Sequence, residues 1–447
     1  MIRSASTLAC AGCGAPAGAR PLDDAFRCSR AAERADVDHV VRRTLDAARV
    51  GITPNDRGNP FLRYRQFLHS YQFGLAYGMR DADFAALVTR LDDAVARVDG
   101  HGFAVTPLVR GAEIERRLGI AAPGAVWIKD ETGNVSGSHK ARHLMGLMLY
   151  LEVVESLGLD RTRRRGLAIA SCGNAALAAA VIARAAGYAL RVFVPTTADR
   201  SVIARMSDLG AEIVTCPRKP GASGDPAYAR FREAVDAGAL PFCCQGNENG
   251  LTIDGGETIG YEIAESLPDT RPRRMVVQVG GGALAASCLQ AFAEMRAAAG
   301  MWPPRFHAVQ TSGAYPLKRA FDRVSARLDV EHGYLPGVDA AMRYARTHRS
   351  AFMQPWDTEP RSIAHGILDD ETYDWAALVE GMLQTGGTPI VVSERELQDA
   401  NALARASTGI NVDHTGSAGL AGLAQLVSTD ATARTDQHIL IFSGVKR

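Results

Sequence analysis

Met275-Val276-Val277-Gln278-Val279-Gly280-Gly281-Gly282-Ala283-Leu284-Ala285 reads as a short apolar strand, three glycines and the opening of a helix. The run Met275–Val279 has strand length and no polar alternation, the pattern of a strand covered on both faces. Three successive glycines let the backbone approach a phosphate closely, and a helix start supplies unpaired N–H donors. Working outward, the same alternation recurs. Strand patterns lie at Ala125–Asp130, Gly166–Ala170, Leu190–Pro195, Glu212–Cys216, His307–Gln310, Pro389–Ser393 and His438–Phe442. Helical patterns lie between them, among them Ala176–Ala186, Arg200–Leu209, Gly255–Ser266 and Ala283–Ala298. Apolar strands separated by helices predict parallel sheets packed between helices, an α/β fold. There are too many strands for one small sheet, so two α/β units are expected.

Composition narrows the function classes. The chain has 447 residues, enough for two domains, and 47% of them are hydrophobic. Fifty basic against 49 acidic residues leave a net charge of +1, so no global field draws nucleic acid or a membrane surface. Eight cysteines are too few for a disulfide scaffold. The start lacks the pattern of a secretory signal, and apolar stretches such as His143–Val154 are too short to span a bilayer. A cytoplasmic location is expected. The first 40 residues differ from the rest, with Cys10-x2-Cys13 and Cys28 in a Gly/Ala/Pro-rich stretch, followed by an Arg-rich helical pattern over Ala35–Val50.

Three further turns carry chemistry. In Ser138-His139-Lys140-Ala141-Arg142, a lysine stands at the mouth of a helix, where its amine is a candidate nucleophile for a Schiff base with an aldehyde. In Ser171-Cys172-Gly173-Asn174-Ala175, a strand end again feeds a helix start, a site for an anion such as a carboxylate; simple N-capping by Ser171 or Asn174 is the plainer alternative. The strand His438–Phe442 ends at Ser443-Gly444. Gly280-x-Gly282-x-x-Ala285 also fits a loose dinucleotide fingerprint, but the next strand ends in Gln310 rather than in an acid.

Taken in order, these turns resemble the fold type II pyridoxal-phosphate enzymes: threonine synthase, serine/threonine dehydratase, cysteine synthase and the tryptophan synthase β chain. The resemblance runs from about Asn59 to Lys446, with threonine synthase nearest. It implies two doubly wound α/β domains with the cofactor in the cleft between them. The implied division is an N-terminal extension over residues 1–50, a large cofactor-binding domain from 51–140 and 256–447, and a small domain over 141–255. Lys140 would hold pyridoxal phosphate and then act as base and acid at Cα, with Ser138 and His139 beside it. Ser171, Cys172, Gly173, Asn174 and Ala175 would bind the substrate carboxylate, Asn174 also reaching the ring hydroxyl. The backbone of Gly280, Gly281, Gly282, Ala283 and Leu284 would cradle the phosphate, and Ser443 would face the pyridine nitrogen. The implied activity is a lyase reaction on a small amino acid, by β/γ-elimination or by threonine-synthase-like replacement, in a homodimer.

The chain departs from the family pattern in places. His139 precedes the lysine where threonine synthases and dehydratases have Phe, Ala141-Arg142 follows it instead of Asp-Arg, and the late segment reads Asp413-His414-Thr415-Gly416. Cys10, Cys13 and Cys28 resemble the zinc-ribbon-like start of some threonine synthase relatives. Ala31 stands where a second CxxC would end, leaving His39 as a conceivable fourth zinc ligand. His365 and Asp369-Asp370 are candidates for lining the site. The alternatives are a β-replacement synthase of cysteine synthase type, a nicotinamide-dependent oxidoreductase, and a catalytically silent relative that binds an amino acid.

Overall fold

A computed structural model describes residues 4–33, 36–53, 58–122, 124–218, 225–267, 273–328, 336–358 and 360–447. The chain divides into two compact units. Unit 1 comprises Met1–Glu33, His39–Val105 and Asn134–Thr258, and unit 2 comprises Arg34–Asp38, Thr106–Gly133 and Ile259–Arg447.

Unit 1 holds a four-stranded parallel sheet in the order Glu212–Cys216, Leu190–Pro195, Leu167–Ala170, Leu240–Pro241. Every residue of Leu167–Ala170 is buried, which is why the strand is apolar without alternation. The helix Lys140–Ser156 is buried from Ala141 through Val154, so it too lacks a polar face. It packs against the helix Asn174–Ala186, which in turn packs against Asp81–Asp99. A second, antiparallel sheet joins Pro16–Ala17, Ser6–Cys10 and Val41–Leu45.

Unit 2 is built on a six-stranded sheet in the order Pro389–Val392, Arg305–Thr311, Arg273–Gln278, Gln437–Phe442, Val126–Asp130, Leu108–Arg110. All pairings are parallel except the last, an antiparallel edge. The central strands Arg273–Gln278 and Gln437–Phe442 are buried at every position. Val126, Ile128, Val276, Val309, Leu440 and Phe442 share one core cluster with the helix Ala418–Thr429. Among the described residues no helix is long and apolar enough to cross a membrane.

Two expectations are corrected. Of the helical pattern over Ala35–Val50, Ala35 lies outside the described residues, and the rest is extended: Val41–Leu45 is a strand, followed by a short 3-10 turn Ala47–Arg49. Val41 and Arg43 alternate inward and pair with Ser6–Cys10, so tertiary pairing overrides the helical propensity of the arginines. Arg43 is buried, its guanidinium on Asp254 at 3.1 Å and on Glu257, and it donates to Phe67 O at 2.7 Å. The residue grouping differs as well. Residues 39–105 and 134–258 form one compact unit, whereas the sequence reading joined 51–140 to 256–447 and set 1–50 apart.

Candidate active site

The turn before Lys140 is conformationally unusual. Among the described residues Ser136 is the only non-glycine at positive φ, 56°, and Gly137 follows at 74°. A left-handed non-glycine costs on the order of 1–3 kcal/mol and persists where its surroundings hold it. Here the Ser136 N–H donates to Asp99 Oδ2 at 2.8 Å and the Gly137 N–H to Asn134 O at 2.7 Å. The two left-handed residues reverse the chain, so Lys140 becomes the first residue of the helix Lys140–Ser156, half-buried. Ser138 is wholly buried, and its Oγ lacks a hydrogen-bond partner among the described residues.

His139 caps this helix and meets His143 edge to face, ring centroids 5.6 Å apart. Burial, with Lys140 and then His143 adding repulsion, holds the His139 pKa well below the ordinary imidazole value. Burial likewise pushes His143 down to about 3. Its Nδ1 lies 2.7 Å from Thr252 O, so the neutral ring carries its proton there, and its Nε2 is buried with no partner among the described residues. The helix Thr252–Ser266 presses closely here: a Cβ at Gly146 would stand 2.6 Å from the Gly255 backbone. Sequence reading did not single out His143 or this glycine contact, since neither belongs to a recognisable motif.

Ser171–Ala175 joins the strand Leu167–Ala170 to the helix Asn174–Ala186 in the same unit. Gly173 occupies the N-cap position, so the N-cap residue itself brings no side chain to the helix end. The Gly173 N–H donates to Ser171 Oγ at 3.4 Å, and no atom lies within 4 Å of where a Gly173 Cβ would be. Cys172 is exposed, and Ser171, Asn174 and Ala175 are half-buried. The first N–H groups of an α-helix have no partner within the helix itself. The helix also packs against the turn Val135–Gly137, so unit 1 brings the lysine turn and the open amide turn together.

Unit 2 carries the glycine turn and Ser443 at the ends of adjacent strands. Arg273–Gln278 and Gln437–Phe442 pair in parallel, and Gln278 Nε2 donates to Ile441 O at 3.1 Å and to Gly416 O at 3.2 Å. Ser443 follows directly and is buried. Gly282 sits at φ 108° as the N-cap of the helix Ala283–Ala299, with Ala283 and Leu284 buried in its first turn. The three glycines are backed by the chain's own segment 367–374. A Cβ at Gly280 would run into Asp369 Oδ2 and stand 2.8 Å from Ile367 Cα, one at Gly281 would stand 2.7 Å from the Tyr373 ring, and one at Gly282 would stand 2.9 Å from Asp374 Cβ. Thr372 Oγ1 donates to Gly280 O at 3.0 Å, and the Asp374 N–H donates to Gly281 O at 3.1 Å. The glycines announced a close approach, but nothing in the sequence named Thr372, Tyr373 or Asp374 as the partners. His365 is exposed, and Asp369 and Asp370 are half-buried. Asp413, raised to about 6 by burial, accepts from the Gly416 N–H at 2.6 Å and donates its own N–H to Gly444 O.

The cysteines of the N-terminal segment converge. Cys10, Cys13, Cys28 and His39 each offer a ligand atom, and these four atoms lie within 4.8 Å of one another. Cys10 Sγ is 3.5 Å from His39 Nδ1, and Cys13 Sγ is 3.6 Å from Cys28 Sγ. The knuckle forms because the Gly14 N–H returns to Cys10 O and the Cys10 N–H pairs with Ala15 O, both at 2.9 Å. Burial raises Cys10 to about 12 and raises Cys28; at Cys13 it is outweighed by hydrogen bonds from Ala15, Cys10 and Cys28, and that thiol falls.

The chain is similar to several known proteins. Threonine synthase of Methanosarcina acetivorans is 22% identical over 344 residues, 76% of this chain and 74% of that protein. L-threonine ammonia-lyase of Thermotoga maritima is 33% identical over 165 residues, 36% of this chain and 37% of that protein. Among solved structures, threonine deaminase isoform 2 of Solanum lycopersicum superposes with a TM-score of 0.58 at 19% identity, covering 83% of this chain and 91% of that one. Maize serine racemase superposes with a TM-score of 0.57 at 19% identity, covering 80% of this chain and 93% of that one. Residues 101–444, well over half the chain, match the family described as pyridoxal-phosphate dependent enzyme, and the protein belongs to that family.

Proposed function

We propose that this protein is a pyridoxal-phosphate-dependent lyase that removes a β or γ substituent from a small amino acid, with threonine-synthase-like replacement as the related outcome. The observation that carries the reading is the pairing, within unit 1, of a lysine at the first position of a helix with an open turn at the start of another. The residues fit the cofactor. Ser138 supplies a buried hydroxyl without a partner, and the glycine turn admits no side chain. When bound, pyridoxal phosphate would supply an electron-withdrawing ring joined to the substrate through its amino nitrogen, which makes the proton at Cα acidic.

In this reading Lys140 holds the cofactor's aldehyde carbon and, once released, moves the proton at Cα. The amides of Ser171–Ala175 hold the substrate carboxylate, and Asn174 reaches the ring hydroxyl. The first-turn amides from Gly280 to Leu284 hold the phosphate. Ser443 offers the ring nitrogen a neutral hydroxyl, so negative charge at Cα is relieved by departure of a leaving group rather than held as in transamination. Replacing Lys140 by Ala is expected to abolish turnover and the visible absorbance of lysine-bound cofactor, with the thermal midpoint unchanged. Lys140→Ala protein that turns over at the wild-type rate would sink the mechanism. A panel of amino acids scored together for keto acid, ammonia and phosphate release separates elimination from replacement.

A second reading concerns the N-terminus. Zinc bonded to thiolates at about 2.3 Å in a tetrahedron needs ligand atoms about 3.8 Å apart. The Cys13–Cys28 separation of 3.6 Å and the Cys10–His39 separation of 3.5 Å support zinc on Cys10, Cys13, Cys28 and His39. Elemental analysis of freshly purified reduced protein is expected to give about one zinc per chain, lost in Cys10→Ser; no metal in the wild type would retire this reading. A cytoplasmic homodimer completes the proposal, in keeping with eight free thiols; light scattering on the purified chain measures its assembly.

A further inference from the structure

A left-handed serine stands four residues before Lys140, and such a conformation persists only where its surroundings hold it. At Ser136, φ 56°, the holding group is the carboxylate of Asp99, whose Oδ2 accepts the Ser136 N–H at 2.8 Å. Asp99 is the last residue of the helix Asp81–Asp99, where a negative charge opposes the helix dipole. An acid at that end works against its own helix, so its contribution lies in what it contacts. The side chain is 5% exposed, with Arg205 Nη2 on Oδ1 and His101 Nε2 on Oδ2, each at 3.7 Å. Arg205 belongs to the helix Arg200–Asp208, which packs against Asn174–Ala186, the helix opened by the turn Ser171–Ala175. A cation on one oxygen and a backbone N–H on the other fix the direction of the carboxylate.

The turn leaves little slack to absorb a change. Ser136 and Gly137, at φ 74°, are both left-handed, Ser138 is extended, and the helix Lys140–Ser156 is buried from Ala141 through Val154. A shift of Ser136 to the right-handed region would redirect the chain at that point. The buried helix cannot follow, so the displacement falls on Ser138, His139 and Lys140. We propose that Asp99 is a positioning residue for Lys140: its carboxylate holds Ser136 left-handed and so fixes where the lysine stands. The inference rests on the reading of Lys140 as the residue that holds the cofactor.

The test uses full-length protein freed of cofactor with a competing amine, then titrated with pyridoxal phosphate. Capture is followed by the visible absorbance and circular dichroism of lysine-bound cofactor. Wild type is compared with Asp99→Ala, Asp99→Asn, Ser136→Gly and the double variant Asp99→Ala/Ser136→Gly. Asp99→Ala is expected to weaken capture at least about tenfold, the loss of one hydrogen bond to a charged group. Asp99→Asn keeps an acceptor oxygen and is expected within about threefold of wild type. Glycine adopts positive φ without strain, so Ser136→Gly is expected to capture as wild type does, and the double variant to recover to within about threefold. A double variant that stays as weak as Asp99→Ala, or that does not fold, overturns the inference, because Asp99 would then support the helices at large. The double variant decides the matter even where Asp99→Ala alone folds poorly. Asp99→Ala protein that captures cofactor as wild type does overturns the inference alone. Wild type that gains no visible absorbance, or Lys140→Ala protein that gains it in full, overturns the lyase reading and this inference with it.

Discussion

The turns Ser171–Ala175 and Gly280–Leu284 start from the same local plan, a parallel strand ending in small residues that open a helix, yet the two are supported differently. Around Gly173 there is open space where a side chain would stand. Around Gly280, Gly281 and Gly282 there is none, because Ile367, Asp369, Tyr373 and Asp374 press against the backbone from the chain's own fold. The glycines of the second turn are thus a steric requirement set by residues some 90 positions away, as well as a means of approach for a ligand. Both turns open a helix, whose first N–H groups have no partner within the helix. What lies behind the backbone separates a turn that tolerates variation from one that does not.

Substitutions at matched positions probe that contrast most directly. Gly282→Ala places a Cβ at φ 108° within 2.9 Å of Asp374 Cβ and 3.1 Å of Leu378 Cδ1. It is expected to cost about 2–4 kcal/mol in urea unfolding and to weaken pyridoxal phosphate binding at least tenfold. Wild-type stability would mean that segment 367–374 yields easily and that the two turns do not differ in support.

Acid acts on both units that carry the turns. Burial lowers His69 and His143 of unit 1 to about 3, and His307 and His438 of unit 2 to about 4. Each is neutral when folded, whereas the unfolded imidazole takes up a proton below about 6.5. The unfolded chain therefore binds more protons between those values, and stability falls as pH drops from about 6.5, by up to about 1.4 kcal/mol per pH unit for each such group. Urea unfolding followed from pH 7 down to pH 4 is expected to show this fall; a midpoint that stays flat over that range would show that these histidines do not govern acid unfolding.

The smallest effect belongs to Gly173→Ala. A methyl in open space at φ −125° is expected to shift stability by less than about 0.5 kcal/mol. If the turn holds the substrate carboxylate, the same variant raises KM while leaving cofactor absorbance intact. A loss of several kcal/mol would show that this turn is backed as closely as the glycine-rich one.

Much of the sheet architecture was legible from local pattern. The seven strand patterns around Met275–Val279 correspond to strands of the two main sheets, and the helix after Ser138 begins at Lys140. These elements are apolar and buried on both faces, so burial leaves a direct imprint on residue type. The Arg-rich stretch over Val41–Leu45 left a misleading one. Arg43 is buried in a strand because Asp254 and Glu257 neutralise it, and those partners lie more than 200 residues downstream.

By itself, the sequence determined the α/β alternation, the family, and which short turns carry a lysine, open amides or glycines, because each depends on residue type and spacing within a few positions. Tertiary structure alone decided that His39 joins Cys10, Cys13 and Cys28, that Ser136 is driven into a left-handed conformation beside Asp99, and that Asp369 faces the glycine turn. Those are contacts between segments, in several cases far apart in the chain. A contact of that kind is selected by packing and electrostatics in the folded state, and neither leaves a periodic trace in the residues that make it.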